Sequence, residues 1–159
     1  MRNGLLDAPE VGVPYCEKYI VMKEGQRLPK HYHVFKTEDI INRANGVLSV
    51  YLWNADKDGN QLESDVRVKM DGIERVFKAG EEILVYPGNS ISLEPYVAHI
   101  FGPLKEGAGD LIVGEVSAVN DDDTDNRFAA KLPRFTTIDE DEAVIYPLCN
   151  ELETLVFGE

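Results

Sequence analysis

From Tyr15 onwards, apolar and polar positions alternate with a period near two, in short runs broken by Gly, Pro, Asn and Asp. Successive side chains of an extended segment point to opposite faces, so such runs predict strands with one buried face. Tyr15 to Met22 is the first, closed by the turn signal Lys23-Glu24-Gly25. A run containing His31 and His33 follows. Val47 to Asn54 is rich in β-formers, and the turn-forming stretch 55–60 behind it predicts a hairpin. Val66 to Met70 and Ile73 to Phe77 flank Asp71-Gly72, a strong two-residue hairpin turn. Glu81 to Tyr86 is stopped by Pro87-Gly88-Asn89, and Ser90 to Leu93 alternates again before Glu94-Pro95. Later come Val97 to Phe101, around His99, and the most apolar run of the chain, Leu111 to Val119.

One stretch breaks the pattern. Thr37 suits an N-cap, Glu38 and Asp39 suit a first turn, and Gly46 can end a short helix after Ile40, Ile41 and Ala44. Many strands, Gly and Pro punctuation and short helices predict an all-β barrel of the jelly-roll kind. Residues 1–14 read as an arm that frays or docks, 15–142 as the barrel, and 143–159 as a tail or edge strand of the same domain.

At 159 residues and 43% hydrophobic content the chain is long enough to bury a core as one domain. Asp and Glu outnumber Lys and Arg by 29 to 16, and the net charge of −13 repels phosphate backbones and anionic membranes. Nucleic acid and membrane partners are therefore not expected. Cys16 and Cys149 form no Cys-x-x-Cys pair and read as reduced thiols, which places the protein in the cytoplasm.

The candidate chemistry gathers on the histidines, of which there are three. His31 and His33 share a strand face and can present two imidazoles to one point. Glu38 would face the other way in an unbroken strand, and joins them only if the chain bends between, as the predicted strand-to-helix junction allows. His99 lies in an apolar stretch, where a lone histidine is more often a hydrogen-bonded core residue, but beside His-x-His and Glu38 it is the fourth ligand. Three nitrogens and one oxygen suit a divalent first-row metal and leave positions open for water or substrate oxygens. Glu115 is the only ionisable side chain inside the run 111–119; alternation leaves both faces open to it, and an inward carboxylate needs a partner, a metal or a task. In the polar segment 120–128, Asp125, Asn126 and Arg127 offer acceptors, donors and a fixed fork for vicinal hydroxyls. Asp56-Lys57-Asp58-Gly59 resembles the start of a calcium loop but lacks the later oxygens and the closing glutamate.

The order Gly25-x5-His31-x-His33-x4-Glu38-x7-Gly46 resembles the first motif of the cupin superfamily, differing only in the length of its last gap. The second motif is less regular: Gly80 leads to Pro87 and Gly88, but His99 stands farther on than usual and lacks the family's following asparagine. The segments 28–43, 114–128 and 134–142 narrow the likeness to the D-lyxose isomerase family of cupin sugar isomerases. That resemblance implies a manganese(II)-dependent aldose-ketose isomerase, acting on D-lyxose and D-xylulose and often on D-mannose and D-fructose. It implies His31, His33, Glu38 and His99 as metal ligands and Lys36 as a catalytic lysine, its pKa lowered by the nearby cation. On position alone, Lys36 would be a solvated surface lysine. Glu115, Asp123 and Asp125 remain the candidates for the partner carboxylate; we assign it to Glu115, and sugar contacts to Asp123, Asp125, Asn126 and Arg127. Fold-level analogy adds a homodimer. An iron dioxygenase or a non-catalytic sugar-binding cupin is the alternative, because fold alone does not fix function.

Overall fold

The computed structural model describes residues 2–105, 109–130, 139 and 141–143. The predicted tail therefore lies almost wholly outside the described residues, as do Cys149 and most of 134–142. The strands are β1 (Arg2–Asn3), β2 (Cys16–Met22), β3 (His31–His33), β4 (Glu38–Asn45), β5 (Leu48–Ala55), β6 (Gln61–Leu62) and β7 (Val66–Met70). They continue with β8 (Ile73–Phe77), β9 (Glu82–Val85), β10 (Ser90–Leu93), β11 (Val97–Pro103), β12 (Leu111–Ser117) and β13 (Asn126–Phe128).

These strands form two sheets, a jelly-roll barrel of the cupin kind. One sheet runs β1-β2-β12-β4-β10-β7-β8; the other runs β13-β3-β11-β5-β6, with β9 also paired to β5. Alternation sorts the side chains as expected: in β12, Leu111, Val113, Glu115 and Ser117 are buried while Ile112 and Val116 are only partly so. Facing residues such as Phe101, Leu52 and Val50 from one sheet and Ile40, Ile91 and Leu111 from the other make one core. The hairpin turns follow their chemistry. Asp71 and Gly72 both have positive φ (50° and 80°), the conformation of a tight turn between β7 and β8. Asp56 accepts hydrogen bonds from the amides of Asp58 and Asn60 (2.9 and 2.8 Å), so its carboxylate builds the turn between β5 and β6.

The predicted short helix is corrected. Residues 38–45 are a strand, and no helix occurs among the described residues. β4 pairs on both edges, with β10 (Leu93 opposite Glu38) and β12 (Ser117 opposite Glu38), so its backbone groups find partners on two sides. The β-branched pair Ile40-Ile41 suits that environment. The capping signal of Thr37 is overridden by these pairings, and Gly46 follows a strand that ends at Asn45 (φ 74°). Buried Asn42 donates to the carbonyls of Gly46 and Val85, both at 2.9 Å, which locks the strand's far end.

Two crossings between the sheets matter for the site. Residues 34–37 lead from β3 to β4, and 118–125 lead back from β12 to β13. They are bonded to each other, Val34 N to Asp125 O (3.2 Å) and Ala118 N to Thr37 O (3.4 Å), and together close one end of the barrel.

Candidate metal and acid-base centre

The bend that Glu38 needs is the first of these crossings. His31 and His33 point inward from one sheet, the chain crosses over, and Glu38 points inward from the first position of β4 in the other. His99 joins them because β11 pairs with β3 in the register His99 opposite His31, and paired residues share a face. The ligand atoms of His31, His33, Glu38 and His99 all lie within 4.8 Å of one another, and all four side chains are buried.

The donor set itself tests whether a metal fits. His31 Nδ1 is 2.8 Å from the carbonyl of Pro29, and His99 Nδ1 is 3.0 Å from that of Val97. A carbonyl only accepts, so each Nδ1 carries a proton and each ring turns its Nε2 inward. Those two Nε2 atoms face each other at 3.1 Å. Nε2 of His33 is buried without a directed hydrogen bond. The Glu38 carboxylate stands 3.1 Å from His99 Nε2 and 3.3 Å from His33 Nε2. Three imidazole nitrogens and a carboxylate oxygen converge here within 4.8 Å, a donor set that fits a divalent cation.

Burial shapes the titration of this centre. It pushes His31 down to about 3 from 6.5, helped by His99. Burial pushes the Glu38 carboxyl up, but His33 and His99 outweigh it and hold the group well below the ordinary range. Because unfolded His31 binds a proton that the folded site refuses, the metal-free protein should lose stability as pH falls from 6.5 towards 3. The loss should approach about 1.4 kcal/mol per pH unit for this group, measurable by urea unfolding of chelator-stripped protein. A flat profile across that window would contradict the burial of a neutral His31.

Lys36 is not a surface lysine. It is 4% exposed, and its Nζ lies 3.3 Å from Glu38 Oε2, 3.1 Å from Glu115 Oε1 and 3.1 Å from Asn120 Oδ1. Burial works against its charge, but Glu38 and Glu115 more than offset this and raise its pKa. Without a metal, the direction is opposite to the lowering expected from sequence. Glu115 faces inward, buried, and also accepts from Lys18 (2.8 Å). Lys18 and Asn120 were missed as site residues. Lys18 shares the parity of Cys16, Ile20 and Met22, so a cation on the inward face of β2 was the available signal.

The polar segment divides. Asp125 is buried; its Oδ1 accepts from the amides of Val34 (2.9 Å) and Phe35 (2.6 Å), and its Oδ2 lies 3.0 Å from His33 Nδ1. The structure thus puts Asp125 beside His33 and against the loop that carries Lys36. Replacing Asp125 by Asn keeps an oxygen for the loop amides but removes the carboxylate charge that stands 3.0 Å from His33 Nδ1. Metal affinity should fall about 10- to 100-fold, the cost of losing an outer-shell partner, as read by calorimetric titration; unchanged affinity would show that Asp125 does not orient His33. Asn126 pairs in register with His33, donates to Asp122 (3.0 Å), and its Oδ1 is buried without a partner among the described residues. Asp123 lies on the exposed loop, its amide bonded to Asp121 Oδ1 (2.9 Å). Arg127 pairs opposite Tyr32 and lines a cavity with Lys30, Asp58 and His31. A separate cavity of about 310 Å³ reaches Lys36 and Asp125 past Leu6, Pro14, Phe35 and Val119. Cys16 is a buried free thiol. No helix among the described residues is long and apolar enough to cross a membrane.

Known proteins resemble this chain in sequence and in fold. A D-lyxose/D-mannose isomerase of Escherichia coli is 44% identical over 151 residues, covering 95% of this chain and 66% of that protein. The protein of the same description from Serratia proteamaculans matches with the same identity and coverage. The chain thus spans about two thirds of the length of these curated relatives. In structure, the L-ribose isomerase of Cellulomonas parahominis superposes with a TM-score of 0.54 at 19% identity, over 80% of this chain and 64% of that one, a likeness of fold. The family model for D-lyxose isomerase matches residues 1–152, and the chain belongs to that family.

Proposed function

We propose that this protein is an aldose-ketose isomerase that interconverts D-lyxose with D-xylulose and D-mannose with D-fructose, using manganese(II) held by His31, His33, Glu38 and His99. The observation that carries the reading is the placement of Lys36 Nζ, buried between the ligand Glu38 and the non-ligand Glu115 at 3.3 and 3.1 Å. A metal-binding cupin without proton chemistry has no need of that pair. The relatives named D-lyxose/D-mannose isomerase support the choice of sugars.

When bound, the metal supplies a Lewis acid for the sugar's carbonyl oxygen. The protein must then move a proton from the carbon beside the carbonyl to the neighbouring carbon, through an enediol, and move a hydroxyl proton between the two oxygens. Lys36, held as an ammonium by its carboxylates, is suited to donate to a sugar oxygen. Glu115, paired with Lys36 at 3.1 Å, takes the part of base. Its second cation, Lys18, at 2.8 Å, holds it in place. Asn126 supports sugar binding with an Oδ1 that has no partner among the described residues, and Asp123 and Arg127 serve the outer part of the substrate's approach; Asp125 acts on the sugar through His33 and the 34–36 loop. The reading includes a cytoplasmic homodimer, supported for the assembly by Tyr19 and Val21, each 64% exposed on the outer face of β2.

The test is product analysis with manganese-loaded protein in deuterated water. D-Lyxose should yield D-xylulose, and D-mannose D-fructose, with solvent deuterium entering the carbon that receives the proton. Oxygen uptake without ketose formation would contradict the proposal.

A further inference from the structure

We propose that Asn120, clamped by Asn3 of the N-terminal arm, is the positioning residue that holds Lys36 against Glu115, so that the arm belongs to the catalytic apparatus. This inference rests on the isomerase reading above and deepens it.

An ammonium on a flexible four-carbon stem has no direction of its own. Lys36 has three N–H donors, and three acceptors surround it: Glu38 Oε2 (3.3 Å), Glu115 Oε1 (3.1 Å) and Asn120 Oδ1 (3.1 Å). Asn120 Oδ1 and Glu115 Oε1 each also accept from Lys18, both at 2.8 Å, so two donors and two acceptors close a ring. A carboxamide is the fitting fourth corner. The carboxylates of Glu38 and Glu115 already balance the two ammonium groups, and the neutral oxygen of Asn120 completes the coordination without adding charge. Remove it, and Lys36 keeps a buried proton with no acceptor and gains freedom to swing.

Asn120 is itself held from outside. Its amide donates to Asn3 Oδ1 (2.9 Å), and its carbonyl accepts from Asn3 Nδ2 (3.2 Å). Asn3 sits in β1, registered opposite Cys16 of β2, two residues from Lys18. The next residue, Gly4, is packed so closely that a Cβ would stand 2.1 Å from the Val13 carbonyl and 2.9 Å from a Val119 methyl. The arm is therefore seated on the 118–120 segment, and Leu6 and Pro14 form a wall of the cavity that reaches Lys36. The path from arm to chemistry is short: Asn3, the Asn120 backbone, the Asn120 carboxamide, Lys36.

The experiment compares manganese-loaded wild type with Asn3→Ala, Asn120→Leu and Asn120→Asp. Asn3 is exposed, so Asn3→Ala tests the idea even where Asn120→Leu folds poorly. Turnover of D-lyxose by the wild type tests the isomerase reading on its own. Asn120→Leu should lose kcat by up to about 100-fold, the scale of a small misplacement of a reacting group, with KM and manganese affinity retained. Asn3→Ala should fall in the same direction by less, and Asn120→Asp, which keeps the acceptor oxygen, should recover most of the rate. Labelling by acetic anhydride, read by peptide mass against exposed Lys57, gives a measure independent of turnover: Lys36 should be protected in the wild type and label several-fold faster in Asn3→Ala and Asn120→Leu. Unchanged kcat or unchanged Lys36 labelling in these two variants overturns the proposal, as does a lowered melting temperature as their sole effect. Should the wild type convert no aldose, the labelling decides alone.

Discussion

Replacing Lys36 by methionine should lower kcat about 100- to 10,000-fold, the range associated with a positioned general acid or base. It should also destabilise the metal-free protein. Lys36 is buried between Glu38 and Glu115, whose side chains are 3% and 8% exposed, and methionine fills its volume while removing the charge that both carboxylates face. Glu115 keeps Lys18, but Glu38 is left with the imidazoles alone. Breaking a buried pair by removing one partner costs about 3–5 kcal/mol, and urea unfolding of chelator-stripped protein should register a loss of that order. The two effects separate the roles of the residue: Lys36→Arg retains charge but not shape, and should recover stability more fully than turnover. A methionine variant with wild-type kcat would remove Lys36 from the chemistry.

His99→Leu should have the largest effect on the metal. His99 is fully buried, its Nε2 meets both His31 and Glu38 at 3.1 Å, and its ring stacks on Phe101, so leucine can occupy the space without offering a ligand. The loss of manganese affinity should exceed the about 10- to 100-fold cost of removing an outer-shell partner, and the rise in melting temperature on adding manganese should disappear with it. Calorimetric titration and thermal melting with and without manganese measure both. If His99→Leu bound manganese as the wild type does, the ion would not be held by this set of residues.

Much of this site is legible from periodicity and rarity. His31 and His33 share a face because strand side chains alternate, and His99 stands out as the remaining histidine of an acidic chain. Glu38 was legible as a partner of the histidines but not as part of a strand. Thr37, Glu38 and Asp39 carry a helix-start signal, and only the pairing of 38–45 with β10 and β12, far away in sequence, overrides it. Parity within one strand likewise misjudges Glu38, because His33 and Glu38 stand in facing sheets and both point to the space between. Glu115 shows the limit of alternation: the pattern allows either face, and register opposite Lys18 settles it. Lys18 escaped notice because a single lysine in a strand near the chain start is ordinarily a solvated residue. The acidic segment 120–128 reads as a set of sugar-binding groups, yet three of its backbone positions form β13, and Asp125 turns back towards His33 and the 34–36 amides. Such roles depend on which loops touch, and loop contacts leave no periodic trace in sequence.

We propose that conversion of aldose to ketose requires one divalent metal held by His31, His33, Glu38 and His99. The most direct test titrates chelator-stripped protein with manganese(II) and follows bound metal by electron paramagnetic resonance and D-xylulose formation from D-lyxose in the same samples, beside a His33→Ala control. Binding and turnover should rise together and saturate at one ion per chain, and the control should show neither at the same concentrations. Turnover in the stripped protein, or full turnover by His33→Ala, would contradict it.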